Sequence, residues 1–167
     1  MSEQSVGIDD DESVSPESVI EFLEFRLDGN RYALELGRVS QVIRKPPTTR
    51  VPNAPDGIYG SVTVEGDVVV AVDTYAVVGL DRPFADPENA YLLLLDSSDT
   101  PQPVGLLVEA VDGIERRHVE SVSPPTEGGA PLDDRWFRAA ITDDDAPDIH
   151  VFDSHQLIAA LHPVDAR

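Results

Sequence analysis

The sequence has no cysteine, which excludes disulfides, cysteine nucleophiles and zinc–thiolate centres together. Lysine is almost as scarce: Lys45 is the single one. Apolar runs are short, the longest on the scale of Ala90–Leu95, far from the ~20 residues a membrane-spanning helix needs. The opening MSEQSVGIDDDESVSPES has neither a basic n-region nor an apolar h-region, so no signal peptide is expected. A soluble cytoplasmic protein is expected. The 167 residues suit one domain, or two small lobes sharing a core.

What is abundant is acid. Thirty-two Asp and Glu against twelve Lys and Arg give a formal charge of −20. A field of that sign repels nucleic acid and anionic lipid, so neither is an expected partner. The acids are spread over segments with clear strand patterning, which argues against a disordered acidic chain. Together with arginine in place of lysine, they fit a surface adapted to a cytoplasm of high salt, as in halophiles. At about 1 M ionic strength the Debye length falls to about 3 Å and self-repulsion is screened.

Residues 1–18 are polar and acidic and are expected to form a disordered tail. From Phe22 to Leu36, FLEFRLDGNRYALEL alternates apolar and polar residues on either side of Asp28-Gly29-Asn30, the pattern of a hairpin. RVSQVIRK continues as a helical turn or strand and stops at Pro46-Pro47. Two valine-rich runs flank Glu65-Gly66-Asp67 as a second hairpin. Thr74–Leu80 predicts a short helix closed by Gly79, and DRPFADPEN a loop. A second round of strands then begins at Ala90, with AYLLLL, VGLLVEAV, IERRHVESV and the pair WFRAAITD and DIHVFD. SHQLIAALH predicts a final helix with Ser154 as its N-cap. Short strands at intervals of about ten residues, with only short helices, indicate an all-β barrel or sandwich.

Glycines beside a strand raise the question of a phosphate cradle. Gly60 and Gly66 lack the G-x-G-x-x-G and G-K-[ST] spacings, and no helix opens after Gly66, so a nucleotide loop is excluded. His155 and His162 stand seven apart, where helical metal ligands are usually three or four apart, and His118 lies in an unrelated charged segment. Surface or capping histidines are expected instead of a metal site. No G-x-S-x-G elbow supports a nucleophilic serine. Asp73 closes a valine-rich strand before Thr74 and is expected to cap the following helix; a catalytic role would require a second carboxylate or an activated partner. No catalytic residue, metal or cofactor is expected.

One segment stands out in so acidic a chain. Arg38 to Arg50, RVSQVIRKPPTTR, carries Arg38, Arg44, Lys45 and Arg50 with no acid and with interleaved Val39, Val42 and Ile43. Two readings stay open: arginines lying over a barrel edge and pairing with local carboxylates, or an anchor for an acidic protein partner.

With these segments in order, the chain resembles the CheW family of chemotaxis coupling proteins from about Phe22 to Leu161. FLEFRLDGNRYALELGRVSQVI is similar to the family's opening hairpin and its V-x-E segment. TTRVPNAPDGIYGSVTVEGDVVVAVDTYAVVGL carries Pro52, Pro55, Gly60, Gly66 and Asp73 in the order and spacing of the family signature. VGLLVEAVDGIERRHVESVSPPT is similar to a segment of its second half. The resemblance implies an all-β fold of two small SH3-like five-stranded β-barrels with short helices, spanning residues 19–163, with 164–167 as a tail. It implies a non-enzymatic adaptor bridging the regulatory domain of the histidine kinase CheA to the cytoplasmic hairpin of chemoreceptors. The receptor would lie in an apolar groove between the barrels lined by Val39, Gln41 and Val42.

The chain also departs from the family pattern. Glu65 stands where the family has arginine, Thr63 where it has asparagine, Ala71 where it has proline, Thr74 where it has leucine, and Gln41 where it has an acid. Arginine to glutamate changes the local charge by two units, so this protein either uses complementary partners or does not couple in the usual way. The alternative functions are a divergent paralogue that binds one partner or serves another histidine kinase and, from a different class, a small-molecule-binding barrel.

Overall fold

The computed structural model describes residues 18–44, 46–81, 84, 89–96, 102–143 and 145–161. The expected acidic tail, the 164–167 tail, Lys45, His162 and parts of the two loops around 82–88 and 97–101 lie outside the described residues.

The strands sort into two six-stranded sheets. The first contains β1 (Val19–Leu27), β2 (Asn30–Glu35), β9 (Ala110–His118), β10 (Val122–Ser123), β11 (Phe137–Asp143) and β12 (Ala146–Phe152), in the order β9-β1-β2-β12-β11-β10. The second contains β3 (Val39–Arg44), β4 (Thr48–Arg50), β5 (Ile58–Val64), β6 (Asp67–Val72), β7 (Tyr91–Leu95) and β8 (Val104–Val108), in the order β3-β7-β8-β6-β5-β4. Two short helices complete the fold, α1 (Thr74–Val77) and α2 (Ser154–Leu161).

The all-β expectation of two small barrel-like lobes holds, with six strands in each sheet where five were expected. The connectivity differs from the sequence reading. The strands at Tyr91–Leu95 and Val104–Val108 do not open a second round; they pair with β3 and β6 of the sheet begun at Val39. The second lobe is therefore inserted within the first, whose strands come from both ends of the domain. Each sheet also holds one parallel pairing, β2 with β12 and β6 with β8. These join strands far apart in the chain, so no hairpin periodicity announces them.

The two hairpins form as the patterning requires. Leu27 pairs with Asn30, leaving Asp28-Gly29 as a two-residue turn, and Val64 pairs with Asp67 around Glu65-Gly66. Glu65 and Gly66 have φ of 50° and 88°, the left-handed backbone that lets a two-residue turn follow the twist of its strands. Gly60 is needed for another reason: a Cβ there would lie 2.2 Å from the Thr49 carbonyl oxygen of the neighbouring strand. Asp73 caps α1 as expected, its Oδ1 accepting from the Ala76 N–H at 3.2 Å. At α2, however, Ser154 is already helical. Asp73's counterpart is Asp153, whose Oδ1 accepts from the His155 and Gln156 N–H groups.

One apolar core runs through both lobes. Leu23, Phe25 and Leu27 of β1 meet Val62, Val69, Leu92 and Leu106 of the second sheet. The opposite face of the first sheet closes over a smaller cluster of Phe22, Ala33, Ile141, Ile149 and Val151. Strand β1 is thus buried on both faces over Phe22–Phe25, and Glu24 is carried inside with it.

Candidate functional site

Strand β3 follows a 3₁₀ turn at Leu36–Arg38 and forms one end of the second sheet's strand order. It pairs only with β7, and a register shift between Val39 and Gln41 breaks its alternation. As a result Ser40, Gln41 and Val42 are all exposed, while Val39 and Ile43 pack against the core. Val42 is 40% exposed, open enough for a partner to cover. Val39, half-buried, also packs against the core.

Beside this strand lies a cleft of about 180 Å³ lined by Ser40, Gln41, Val64, Glu65, Asp67, Val69, Leu94, Leu95 and Pro103. Gln41 and Glu65, 24 residues apart in the chain, are thereby brought together. Val39 and Val42 do not line it, and every lining residue belongs to the second lobe. The floor is aliphatic: Val69 and Leu95 are buried, and Val64 and Leu94 half-buried. The rim is acidic: Glu65 and Asp67 are exposed.

The basic segment spans both end strands of the second sheet's strand order. Arg44 pairs opposite Tyr91 on β3, whereas Arg50 sits on β4, at the other end of the strand order. Arg50 lies over the Tyr59 ring, 4.2 Å from its centroid, a cation–π contact. Arg38 is half-buried and Arg44 exposed. Among the described residues the ion pairs involve other arginines, so pairing with local carboxylates does not account for Arg38, Arg44 or Arg50.

The histidines are scattered. His118 accepts through Nδ1 from the Glu120 N–H at 3.3 Å, as a cap. His155 sits 3.8 Å from Asp153 at the start of α2. His150 departs from the surface expectation: it is buried in β12, its ring 5.1 Å from that of Phe137.

Two polar arrangements escaped the sequence reading. Glu24, fully buried, accepts from Arg31 Nη2 at 2.9 Å and from Arg117 Nε and Nη2 at 3.1 and 2.7 Å. Nothing in the alternation of β1 distinguishes this glutamate from an exposed one, because its partner Arg117 is 93 residues away. The second arrangement ties the lobes together. Tyr75 on α1 donates its hydroxyl to Glu109 Oε2 at 2.5 Å and accepts from the Asp28 N–H, while Glu109 Oε1 accepts from the Gly29 N–H. The turn of the first lobe's hairpin is thus held by a helix of the second lobe and by the residue linking β8 to β9. Burial first, then the bond to Glu109, raises the Tyr75 phenol well above its ordinary value.

The profile of the CheW-like domain matches residues 21–162, a span that contains both sheets, the exposed strand and the cleft. The chain belongs to the CheW-like family. Among similar proteins, a probable chemotaxis protein CheW of Rhizobium etli is 26% identical over 124 residues, covering 74% of this chain and 78% of that protein. The chemotaxis protein CheW of Klebsiella aerogenes is 26% identical over 107 residues, 64% of this chain and 63% of that protein's length. The crystal structure of the scaffolding protein TtCheW from Thermoanaerobacter tengcongensis superposes with a TM-score of 0.72 at 20% identity, covering 89% of this chain and 95% of the other. The overall fold is therefore shared with that structure. Among the described residues, no helix is long and apolar enough to cross a membrane.

Proposed function

We propose that the protein is a non-catalytic chemotaxis adaptor that joins the regulatory domain of CheA to the cytoplasmic hairpin of chemoreceptors, working in the cytoplasm at membrane receptor arrays. The observation that carries this reading is the extent of the family match, residues 21–162, which takes in every described strand of both lobes apart from Val19 and Ile20 at the start of β1. The second lobe supports it by presenting an exposed strand in which Gln41 and Val42 stand free of the core. An adaptor of this kind needs only a modest interface, roughly 800 Å² per partner. Its mechanism is geometric: it holds receptor and kinase so that a receptor signal biases the kinase.

The test is a pull-down in molar potassium chloride against the CheA regulatory domain and a receptor signalling hairpin from the same organism. Both are expected to bind. Val42→Asp is expected to abolish receptor binding with stability changed by less than about 0.5 kcal/mol, as for an exposed site. Val39→Asp is unsuitable because that side chain packs on the core. Receptor binding unaffected by Val42→Asp would remove this strand from the interface. A second reading, an adaptor for one partner only, is favoured by Glu65 at the position of the family's arginine. Retention of the kinase domain without the receptor would select it.

A further inference from the structure

We propose that the cleft beside β3 is a socket for one basic side chain, an arginine in preference to a lysine, presented by a protein partner. The partner's identity rests on the adaptor reading; the chemistry of the socket does not. At about 180 Å³ the cleft holds the equivalent of about six waters at ~30 Å³ each. It is smaller than the ~300–1,000 Å³ of pockets that take drug-sized ligands, and a helix of ~10 Å diameter cannot enter it. One long side chain can.

The lining selects which one. Val64, Val69, Leu94, Leu95 and Pro103 form an apolar floor, with Glu65 and Asp67 at the rim and Gln41 beside them. An arginine has the matching parts, an aliphatic stem and a cationic head. Among the described residues no lysine, arginine or histidine lines the cleft, and the ion pairs leave Glu65 and Asp67 out. Glu65 in the turn and Asp67 just after it therefore have no ion-pair partner among the described residues for an incoming cation to displace. Guanidinium is favoured over ammonium because it is planar, more weakly hydrated and able to donate to both carboxylates and to an amide oxygen.

The experiment uses the full chain in two arms. In the first, amide spectra are recorded while N-acetylarginine amide is added, with N-acetylcitrulline amide as its neutral counterpart. Shifts are expected at Ser40, Gln41, Val64, Val69 and Leu94 with arginine, much smaller with citrulline, and lost in the double variant Glu65→Gln, Asp67→Asn. No shift, equal shifts with both compounds, or shifts that survive the variant would overturn the socket. In the second arm the same variant is tested against the receptor hairpin and the CheA regulatory domain. Binding of one of them is expected to weaken about fivefold or more, the scale of an exposed ion pair, with the other unchanged. Unaltered binding of both would overturn the assignment to these partners. Failure of the native protein to bind either would instead sink the adaptor reading, leaving the first arm to decide the socket.

Discussion

The two lobes have similar sheets and different interiors. The first is aromatic and ionic. Phe25, Tyr32, Phe137 and Phe152 stack within 5.0–6.5 Å of one another, and the buried Glu24 is held between two arginines. The strands of the second lobe bury valine, leucine, alanine and glycine, and none of their polar side chains is buried among the described residues. The first lobe thus spends ordered, directional contacts on fastening strands drawn from both ends of the domain. The second is a more local unit with aliphatic strands and one buried aromatic pair, Tyr75 and Phe84, and residues of its end strand and hairpin turn are exposed. Tyr75 and Glu109 bridge the two.

The sharpest way to break this contrast is to disturb the ionic interior. Glu24→Ala removes the carboxylate shared by Arg31 and Arg117 and leaves Arg117, the more buried of the two, without its ion-pair partner. It is expected to cost about 3–5 kcal/mol, as for the loss of one partner of a buried pair, measured by urea or guanidinium unfolding. A loss below about 1 kcal/mol would mean that the network does not fasten the first lobe.

Next in size is the fastening between lobes. Tyr75→Phe is expected to cost about 2 kcal/mol, the scale of a hydrogen bond to a charged group. The effect has a pH signature. Burial, reinforced by the Asp28 carboxylate, pushes Tyr32 up to about 12, and Tyr75 is raised further by burial and by Glu109. The fold therefore favours the neutral phenols. Their contribution is complete below the ordinary tyrosine value of 10.0 and is lost as pH climbs through the raised values. Unfolding free energy should fall from about pH 10 upward, more steeply in the native protein than in Tyr75→Phe. Equal slopes would show that Tyr75 does not hold the lobes.

The smallest effect per charge, summed over the whole surface, is salt. With −20 to screen, the melting temperature should rise between low and molar potassium chloride, by about 2–4 °C for each kcal/mol of relieved repulsion. A midpoint independent of salt would contradict the reading of this surface as adapted to high salt.

Much of the fold was legible because its signals are local. Alternation around Asp28-Gly29 and Glu65-Gly66 marked both hairpins, and Asp73 before Thr74 marked a cap, since each depends on neighbours a few residues away. Ser154 was misread as a cap because Asp153 offers the same chemistry one residue earlier, and only the observed helix start separates them. The second lobe's insertion was not legible, because Tyr91–Leu95 reads as a buried strand whichever sheet receives it.

The candidate site divides the same way. Arg44 and Arg50 stand in one short linear segment, and only the fold places them on the two end strands of the second sheet's strand order. Val39 and Val42 looked equivalent, yet the register shift beside Gln41 leaves one packed on the core and the other exposed. By itself the sequence determined strands, turns, overall charge and the likeness to a CheW-like chain, all written in residue type and short spacing. Only the tertiary structure decided that Glu24 meets Arg117, that Tyr75 reaches the first lobe's turn, and that Gln41 shares a cleft with Glu65. Those are pairings between distant segments, set by which sheet edges and faces come together when the shared core is buried.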